Sequence, residues 1–291
     1  MKKEGRQLAC ALRPIPPEFT NPILTLQPAV SSTPTNTEYL LNSFPFADAL
    51  ITPNTISQQL GFWTVTHDIG VSNGHPSSMT LNGVIIRSEI YGFPVNAVST
   101  GKGVTDKNGV TSEAFLNPDD SRMQQVQFIN GHLWAALPTA ISIDNDPVVR
   151  DGVAWFNINA AAGSVSTQGY IASQGNYLLY PAILRTTAGT TVITFTITSA
   201  TINPSTAYVV RPSTSSHFGV IHIAASGFGA HLSFSDTIPV FGRPRWGDYS
   251  AAVLDPNGND IWLATEYIPS PANQDPFDNW GTRVFDTQGA S

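Results

Sequence analysis

The sequence predicts an all-β fold, a partial or small β-propeller with about four to five blades of four antiparallel strands each. Short apolar runs alternate with turn residues along most of the chain, which is typical of β-strands. The 23 glycines and 22 prolines leave few segments in which a long helix could form. A hairpin unit also recurs at intervals of roughly 55 to 70 residues, a period that suits four-stranded blades. A two-sheet sandwich is the alternative, because evenly spaced short strands build that fold too.

The first 30 residues are predicted to be a flexible segment that precedes the folded domain. They contain five prolines and no apolar periodicity, as is typical of an arm or linker. Residues 31–291 form the predicted propeller-like domain.

Strands are predicted wherever an apolar run lies between turn signals. In chain order they are Phe62–Thr66, Gly83–Arg87, Val126–Ile129, His132–Leu137, Val153–Ile158, Tyr177–Leu184, Thr190–Thr198, Ala207–Arg211, Gly219–Ile223, Tyr249–Leu254 and Ile261–Tyr267. The run Thr190–Thr198 alternates threonine with apolar residues, so one face of that strand is expected to be buried.

Three of these strand pairs share one pattern, in which a glycine-containing turn joins two apolar strands. Their turns are Asn130-Gly131, Ala188-Gly189 and the segment 255–258. Asn-Gly between two apolar runs is the strongest local signal for a hairpin. Ser57–Val65, with Gly61 inside it, is interpreted as a fourth, degenerate copy.

The composition excludes several classes of partner. Only 12% of the residues are charged, where about 25% is usual, and the net charge of -7 is spread without basic clusters. Nucleic acid is therefore not an expected partner. No apolar run approaches the roughly 20 residues of a membrane-spanning helix. Cys10 is the only cysteine, so no internal disulfide is possible.

The composition favours an extracellular or cell-surface location, because the charge deficit is filled by threonine, serine and asparagine. No signal peptide is visible, since residues 4–7 interrupt any apolar stretch that follows the first lysines. Three explanations stay open: this start is not the native one, export is unusual, or the protein stays inside the cell.

The C-terminal region carries the densest group of aromatic and charged residues. It offers a set of candidate binding residues: Arg245, Trp246, Asp248, Tyr249, Glu266, Tyr267, Trp280 and Arg283. Structurally, the tryptophan would pack between blades, and Asp248 would pair with Arg245 or Arg283. Functionally, aromatic rings beside carboxylates could hold a sugar. The structural interpretation is preferred, and no catalytic residue is assigned.

A calcium site is a weaker hypothesis at the turn after the segment 245–254. Oxygen-bearing side chains occur there at Asp255, Asn257, Asn259 and Asp260, and calcium prefers oxygen ligands. The same residues make an ordinary turn, and no glutamate follows at the distance of an EF-hand loop. No cofactor is therefore predicted, with calcium as the exception to test.

An enzyme related to sialidases is a further alternative. Arginines that could bind a carboxylate substrate occur at Arg122, Arg185, Arg243 and Arg245. Tyr249, Glu266 and Asp248 are then the acid–base candidates. The Asp-box spacing of those enzymes is not reproduced around Asp255–Trp262, and no histidine pair has the spacing of a metal site.

The C-terminal residues Arg245–Ser250, Asp255-Pro256, Trp262, Glu266-Tyr267 and Trp280–Arg283 resemble the closing blade of a family of uncharacterised bacterial secreted β-propeller proteins. Upstream segments are similar to its middle blades: Ser32–Leu41, Asp120–Arg122, Gly131–Ala135 and Gly152–Phe156. The resemblance implies a propeller and no particular reaction. Members of the family usually start with a signal peptide and more blades, so the resemblance also implies that this chain corresponds to the C-terminal four or so blades and that the N-terminal blades are missing.

The preferred hypothesis is an extracytoplasmic binding or scaffold module whose ligand is a glycan or a protein. A sialidase-like hydrolase that processes glycans is the first alternative. A structural subunit that completes a propeller with another chain, or by self-association, is the second.

Overall fold

A computed structural model describes residues 25–44, 56–68, 78–101, 114–231, 246–269 and 280–287. Within these ranges the chain contains seventeen strands and no helix, so the all-β prediction is confirmed. No helix able to cross a membrane occurs in them. The strands are β1 Gln27–Ser31, β2 Thr37–Ser43, β3 Ile56–Asp68, β4 Ser78–Gly92, β5 Ala97–Val98, β6 Phe115–Leu116, β7 Val126–Ile129, β8 His132–Ile141, β9 Arg150–Asn159, β10 Ser164–Ile171, β11 Tyr177–Arg185, β12 Thr191–Thr198, β13 Ser205–Arg211, β14 His222–Ala225, β15 Ala251–Leu254, β16 Ile261–Tyr267 and β17 Gly281–Asp286.

Consecutive strands pair antiparallel in four groups, which we call meander I (β1–β4), meander II (β7–β10), meander III (β11–β14) and meander IV (β15–β17). Strand β1 also pairs parallel with β7, and this pairing joins meanders I and II into one eight-stranded sheet. Strands β5 and β6 form a separate two-stranded ribbon.

The three predicted hairpins are confirmed as β7–β8, β11–β12 and β15–β16. At the first turn, Asn130 and Gly131 both have positive φ, 49° and 78°. A two-residue hairpin loop of this kind needs positive φ at both positions, which explains the Asn-Gly sequence. Gly189 and Gly258 also have positive φ at the other two turns.

The fourth copy of the hairpin, predicted over Ser57–Val65, is wrong. This segment lies inside the single strand β3, and Gly61 is not a turn residue. A Cβ atom on Gly61 would lie 1.9 Å from Oδ1 of Asn42. The glycine leaves room for Asn42, whose Oδ1 accepts a 2.7 Å hydrogen bond from the indole of Trp63 on the same strand.

Two predicted boundaries also differ from the structure. The strand predicted over Gly219–Ile223 is β14, which begins only at His222. The predicted flexible segment overlaps β1, so residues 27–30 belong to the sheet, and residues 1–24 lie outside the described ranges. Apolar content alone did not reveal that β1 is held by a partner on each side.

Meanders II, III and IV are packed face to face in chain order, with a buried apolar layer between each and the next, and a further apolar layer lies between meanders I and II inside the curled eight-stranded sheet. Leu133 and Phe156 of meander II face meander I, whereas the neighbouring Trp134 and Trp155 face meander III. This alternation along β8 and β9 buries both faces of meander II, because successive side chains in a strand point to opposite sides. Leu263 of meander IV completes the next layer against meander III.

Three glutamines before and within β7 tie the first strands of the meanders together. The side-chain amide of Gln127 accepts from Arg185 N (2.7 Å) and donates to Arg185 O (2.8 Å) and Ser32 Oγ (2.8 Å). Gln125 makes the equivalent pair of bonds to the backbone of Ala252 on β15, and Gln124 donates to Asp248 O. These side chains replace backbone pairing where first strands of different meanders approach.

Candidate functional site

The segment 246–250 enters the core at Trp246, of which only 2% is exposed. Its ring packs with Leu179 and Tyr180 of β11, and its indole N–H donates to Thr196 Oγ1 at 3.3 Å. The same threonine hydroxyl donates to Glu266 O at 3.0 Å. The structural interpretation therefore holds for Trp246, which fixes the segment against meander III.

Beyond Trp246 the backbone turns sharply and brings the next side chains to the surface. Gly247 and Asp248 both have positive φ, 63° and 136°. A Cβ on Gly247 would lie 3.0 Å from the ring of Tyr180, which itself has a φ of 51° in a bulge of β11. Strained positions of this kind persist only where the surroundings hold them, and they are frequent at functional sites.

Glu266 lies behind this turn, on β16. Burial raises the pKa of its carboxyl to about 7, and the neighbouring carboxylate of Asp248 adds to the rise. A backbone hydrogen bond from Gly247 N–H acts in the opposite direction. Near neutral pH this side chain therefore exchanges a proton readily, a property that general acids share.

A second segment, with the residues Asp119, Asp120 and Arg122, completes the surface. Arg122 donates to both carboxyl oxygens of Asp120, at 2.7 and 2.5 Å, and lies 3.4 Å from Asp119. The hydrogen bond to Asp120 raises the pKa of the Arg122 guanidinium, with smaller contributions from both carboxylates and from Tyr249. Tyr249 itself is 68% exposed.

We call these six residues from three separate segments the signature surface: Asp119, Asp120, Arg122, Asp248, Tyr249 and Glu266. Sequence reasoning found Asp248, Tyr249 and Glu266 as one group and treated Arg122 separately. It missed Tyr180 and Gln124, which hold the turn, because neither belongs to a motif. The Asp-Asp-Ser-Arg run was the available signal for the second segment.

The other predicted binding residues do not join this surface in the same way. Arg283 and Trp280 are exposed on or beside β17, and Arg283 pairs with Thr265 in the strand register. Tyr267 ends β16 opposite Gly281. Arg245 lies outside the described residues, so the predicted pairing of Asp248 with that arginine stays a prediction.

In the turn proposed for calcium, the oxygens accept hydrogen bonds from the turn itself. Asp255 accepts from Asn257 N and from the indole of Trp262, at 3.0 Å each. Asn257 Oδ1 accepts from Asn259 N and Asp260 N, at 2.8 and 3.3 Å. An ordinary turn accounts for these contacts, and calcium binding stays a prediction.

The arginines considered for a sialidase-like site do not converge within the described ranges. Arg122 is paired with two aspartates, as described above, and Arg185 lies on β11 next to Gln127. Arg243 and Arg245 lie outside those ranges. Arg122 and Arg185 thus have different partners, and only Arg122 belongs to the signature surface.

The signature surface combines an exposed phenol ring, carboxylates and one guanidinium. A ring of this kind can stack on the C–H face of a sugar, while the carboxylates accept hydrogen bonds from its hydroxyl groups. His231, next to Trp246 at 5.2 Å, lies beneath the surface, and burial lowers its pKa to about 4. It is therefore neutral at physiological pH and contributes no charge.

No protein-family profile matches this chain. No curated protein matches it either. Among solved structures, a protein of unknown function from Dyadobacter fermentans aligns with a TM-score of 0.40 and 11% identity, over 85% of this chain and 57% of that one. The chain therefore spans little more than half the length of that protein.

Two enzymes align still more weakly. An acylaminoacyl peptidase from Pyrococcus horikoshii gives a TM-score of 0.33 at 8% identity, over 92% of this chain and 39% of the peptidase. An endo-arabinase from Bacteroides thetaiotaomicron gives 0.32 at 10% identity, over 92% and 97%. Similarities at this level carry no argument about function.

Proposed function

We propose that the protein is an extracytoplasmic binding module of the β-propeller type that engages a glycan through the signature surface. The observation that carries this proposal is the exposure of Tyr249 at 68% beside Arg122, which is itself paired with Asp120. Large exposed aromatic side chains beside satisfied polar groups mark binding surfaces. The strained turn beneath Tyr249 supports a functional role, because it fixes the direction of that ring.

The propeller architecture is part of the proposal. It is supported by four antiparallel meanders in chain order whose first strands are neighbours: β1 lies against β7, β7 against β11 and β11 against β15. The described residues form three sheets of three or more strands, one more than a two-sheet sandwich has. Loops at one end of such a stack vary freely, and binding residues concentrate there.

Binding is tested by titrating soluble oligosaccharides, neutral and acidic, against the protein with calorimetry. Tyr249→Ala is expected to weaken binding at least tenfold, because the stacking surface is lost. Tyr170→Ala is the matched control, since Tyr170 is also exposed but lies on meander II. Absence of glycan binding by the native protein, or equal weakening by both substitutions, would contradict the proposal and favour a protein ligand.

The raised pKa of Glu266 favours a second candidate function, hydrolysis of a glycosidic bond. A carboxylic acid with a pKa of about 7 beside a second carboxylate is the arrangement that such hydrolysis uses. Glu266 would protonate the leaving group and Asp248 would be the second carboxylate. Aryl glycosides provide the test: activity that falls above about pH 7 and is abolished in Glu266→Gln supports this candidate.

The outer face of meander IV favours a third candidate, a subunit that completes a propeller with another sheet. Val253, Trp262 and Val284 are all exposed there, with Val253 directly opposite Trp262 in the register. Exposed apolar sheet faces mark interfaces. If this candidate is right, the protein self-associates and Trp262→Glu makes it monomeric in light scattering, whereas a monomeric native protein contradicts it.

A further inference from the structure

Two arginine side chains lie side by side on the face of meander III that is turned toward meander II. Arg185 ends β11, Arg211 ends β13, and Thr191 begins β12 between them in the strand register. Both guanidinium groups donate to the hydroxyl oxygen of Thr191, at 2.9 and 3.3 Å. This cluster lies outside the signature surface and was absent from the sequence-based candidates as a pair.

Two tryptophan rings of meander II and one phenylalanine ring from the β13–β14 connection surround the two cations. Trp134 lies 4.9 Å from the guanidinium carbon of Arg185 and 4.8 Å from that of Arg211. Trp155 and Phe218 lie 5.3 and 5.7 Å from Arg211. Cation–π contacts with these rings position the guanidinium groups. The rings do not accept hydrogen bonds from the N–H groups, which point outward in the guanidinium plane.

No carboxylate among the described residues neutralises the charges of this cluster. In the described ranges, the salt bridges are those of Arg122 and Arg150, and no carboxylate pairs with Arg185 or Arg211. Arg211 is only 8% exposed, and its Nε hydrogen has no acceptor. Burial lowers the pKa of both groups, and the proximity of Arg185 lowers that of Arg211 further.

Such an arrangement is costly without a counter-charge. Arginine stays protonated in proteins, so two adjacent cations repel each other in a partly desolvated site. Buried charges are normally paired or hold a ligand of opposite sign. Gly189 leaves room for the cluster because it has no side chain: a Cβ atom there would lie 2.9 Å from Nη2 of Arg185.

We propose that Arg185, Arg211 and Thr191 form a binding site for an oxyanion, either a carboxylate or a phosphate-type group. The guanidinium N–H groups that remain unused, above all Nε of Arg211, are the donors. The hydroxyl of Thr191 accepts from both arginines and so keeps its own hydrogen for the ligand. Arg185 is the more exposed of the two arginines.

The test measures thermal unfolding and calorimetric binding with acetate, sulfate and phosphate at constant ionic strength. Sulfate and phosphate stabilise proteins generally, without saturation, so saturation is the diagnostic feature. We expect a saturable rise in melting temperature for the native protein with at least one anion. Response to acetate alone identifies a carboxylate ligand, and response to sulfate and phosphate identifies a phosphate-type group.

Arg211→Met is expected to weaken this binding at least tenfold, because it keeps the packing between the tryptophans and removes the charge. Arg150→Met is the matched control: Arg150 also lies over an aromatic ring, at 4.9 Å from Tyr177, but is paired with Asp146. Arg185→Gln provides a second test if Arg211→Met does not fold. No saturable response in the native protein, or equal binding by Arg211→Met and native protein, overturns the proposal.

Discussion

Glu266 shows how a single side chain acquires its properties from segments distant in sequence. Glu266 lies on the regular strand β16, and neither of its neighbours there, Thr265 and Tyr267, is a cause of its pKa shift. Burial and Asp248 together raise its pKa to about 7, and both depend on the turn at Gly247. The sequence identified Glu266 as a candidate residue, but the shift of its pKa depends on the tertiary contacts that bury it.

Replacement of this carboxyl has a predictable effect on stability. A pKa raised from about 4.5 to about 7 means that the folded protein binds more protons than the unfolded chain in this window, so stability falls as the pH rises through it. Glu266→Gln should remove this fall, on the order of 1–2 kcal/mol after discounting for solvent screening. Urea unfolding from pH 4 to pH 8 measures the slope.

Asp146→Asn is the control that should leave the slope between pH 4 and pH 8 unchanged. Hydrogen bonding to Arg150 lowers the pKa of Asp146 to about 2, so its contribution is present above about pH 4 and lost below it. Burial also raises the pKa of Asp151, so part of the decrease in stability with rising pH is expected to remain in every variant. An unchanged slope in Glu266→Gln would show that the carboxyl titrates normally.

At the scale of elements, the hairpins were the part of the fold most accessible to prediction. Asn130-Gly131 and the segment 255–258 carry local signals because positive φ restricts the residue type. The hairpin predicted over Ser57–Val65 was wrong because its glycine, Gly61, has a different role: it leaves room for the side chain of Asn42. A glycine in a strand and a glycine in a turn look alike in sequence.

Gly131→Ala tests the hairpin interpretation. Nothing lies within 4 Å of the added methyl group, so only the backbone, at φ 78°, opposes the change. We expect a loss of about 1 kcal/mol in the free energy of unfolding. Gly229→Ala is the matched control, because that glycine has equal space and no positive φ. Equal stability of the two variants would refute the argument.

At the scale of the whole molecule, contacts between meanders depend on polar side chains as well as apolar layers. Gln127 is fully buried and bonds to meanders I and III at once. Its amide satisfies the backbone N–H and C=O of Arg185, which lie where no further strand can pair. Removal of that amide is therefore expected to weaken the contacts of meander II with both meander I and meander III.

Gln127→Leu should destabilise the protein by about 2–4 kcal/mol, because two backbone groups and Ser32 lose their partner in a buried site. Chemical denaturation measures the change. Gln174→Leu is the control, since Gln174 donates one exposed hydrogen bond and should change stability by less than about 0.5 kcal/mol. If the two substitutions cost the same, the bridge contributes nothing to the association of the meanders.

The sequence by itself determined the all-β class, most strands and three hairpin turns, because these follow from two-residue periodicity and local backbone restriction. Only the tertiary structure decided which faces meet. It brought Arg122 to Tyr249, and Arg185 and Arg211 to Trp134. Periodicity tells which side chains share a face of a strand, but the strand that covers this face is chosen by long-range packing.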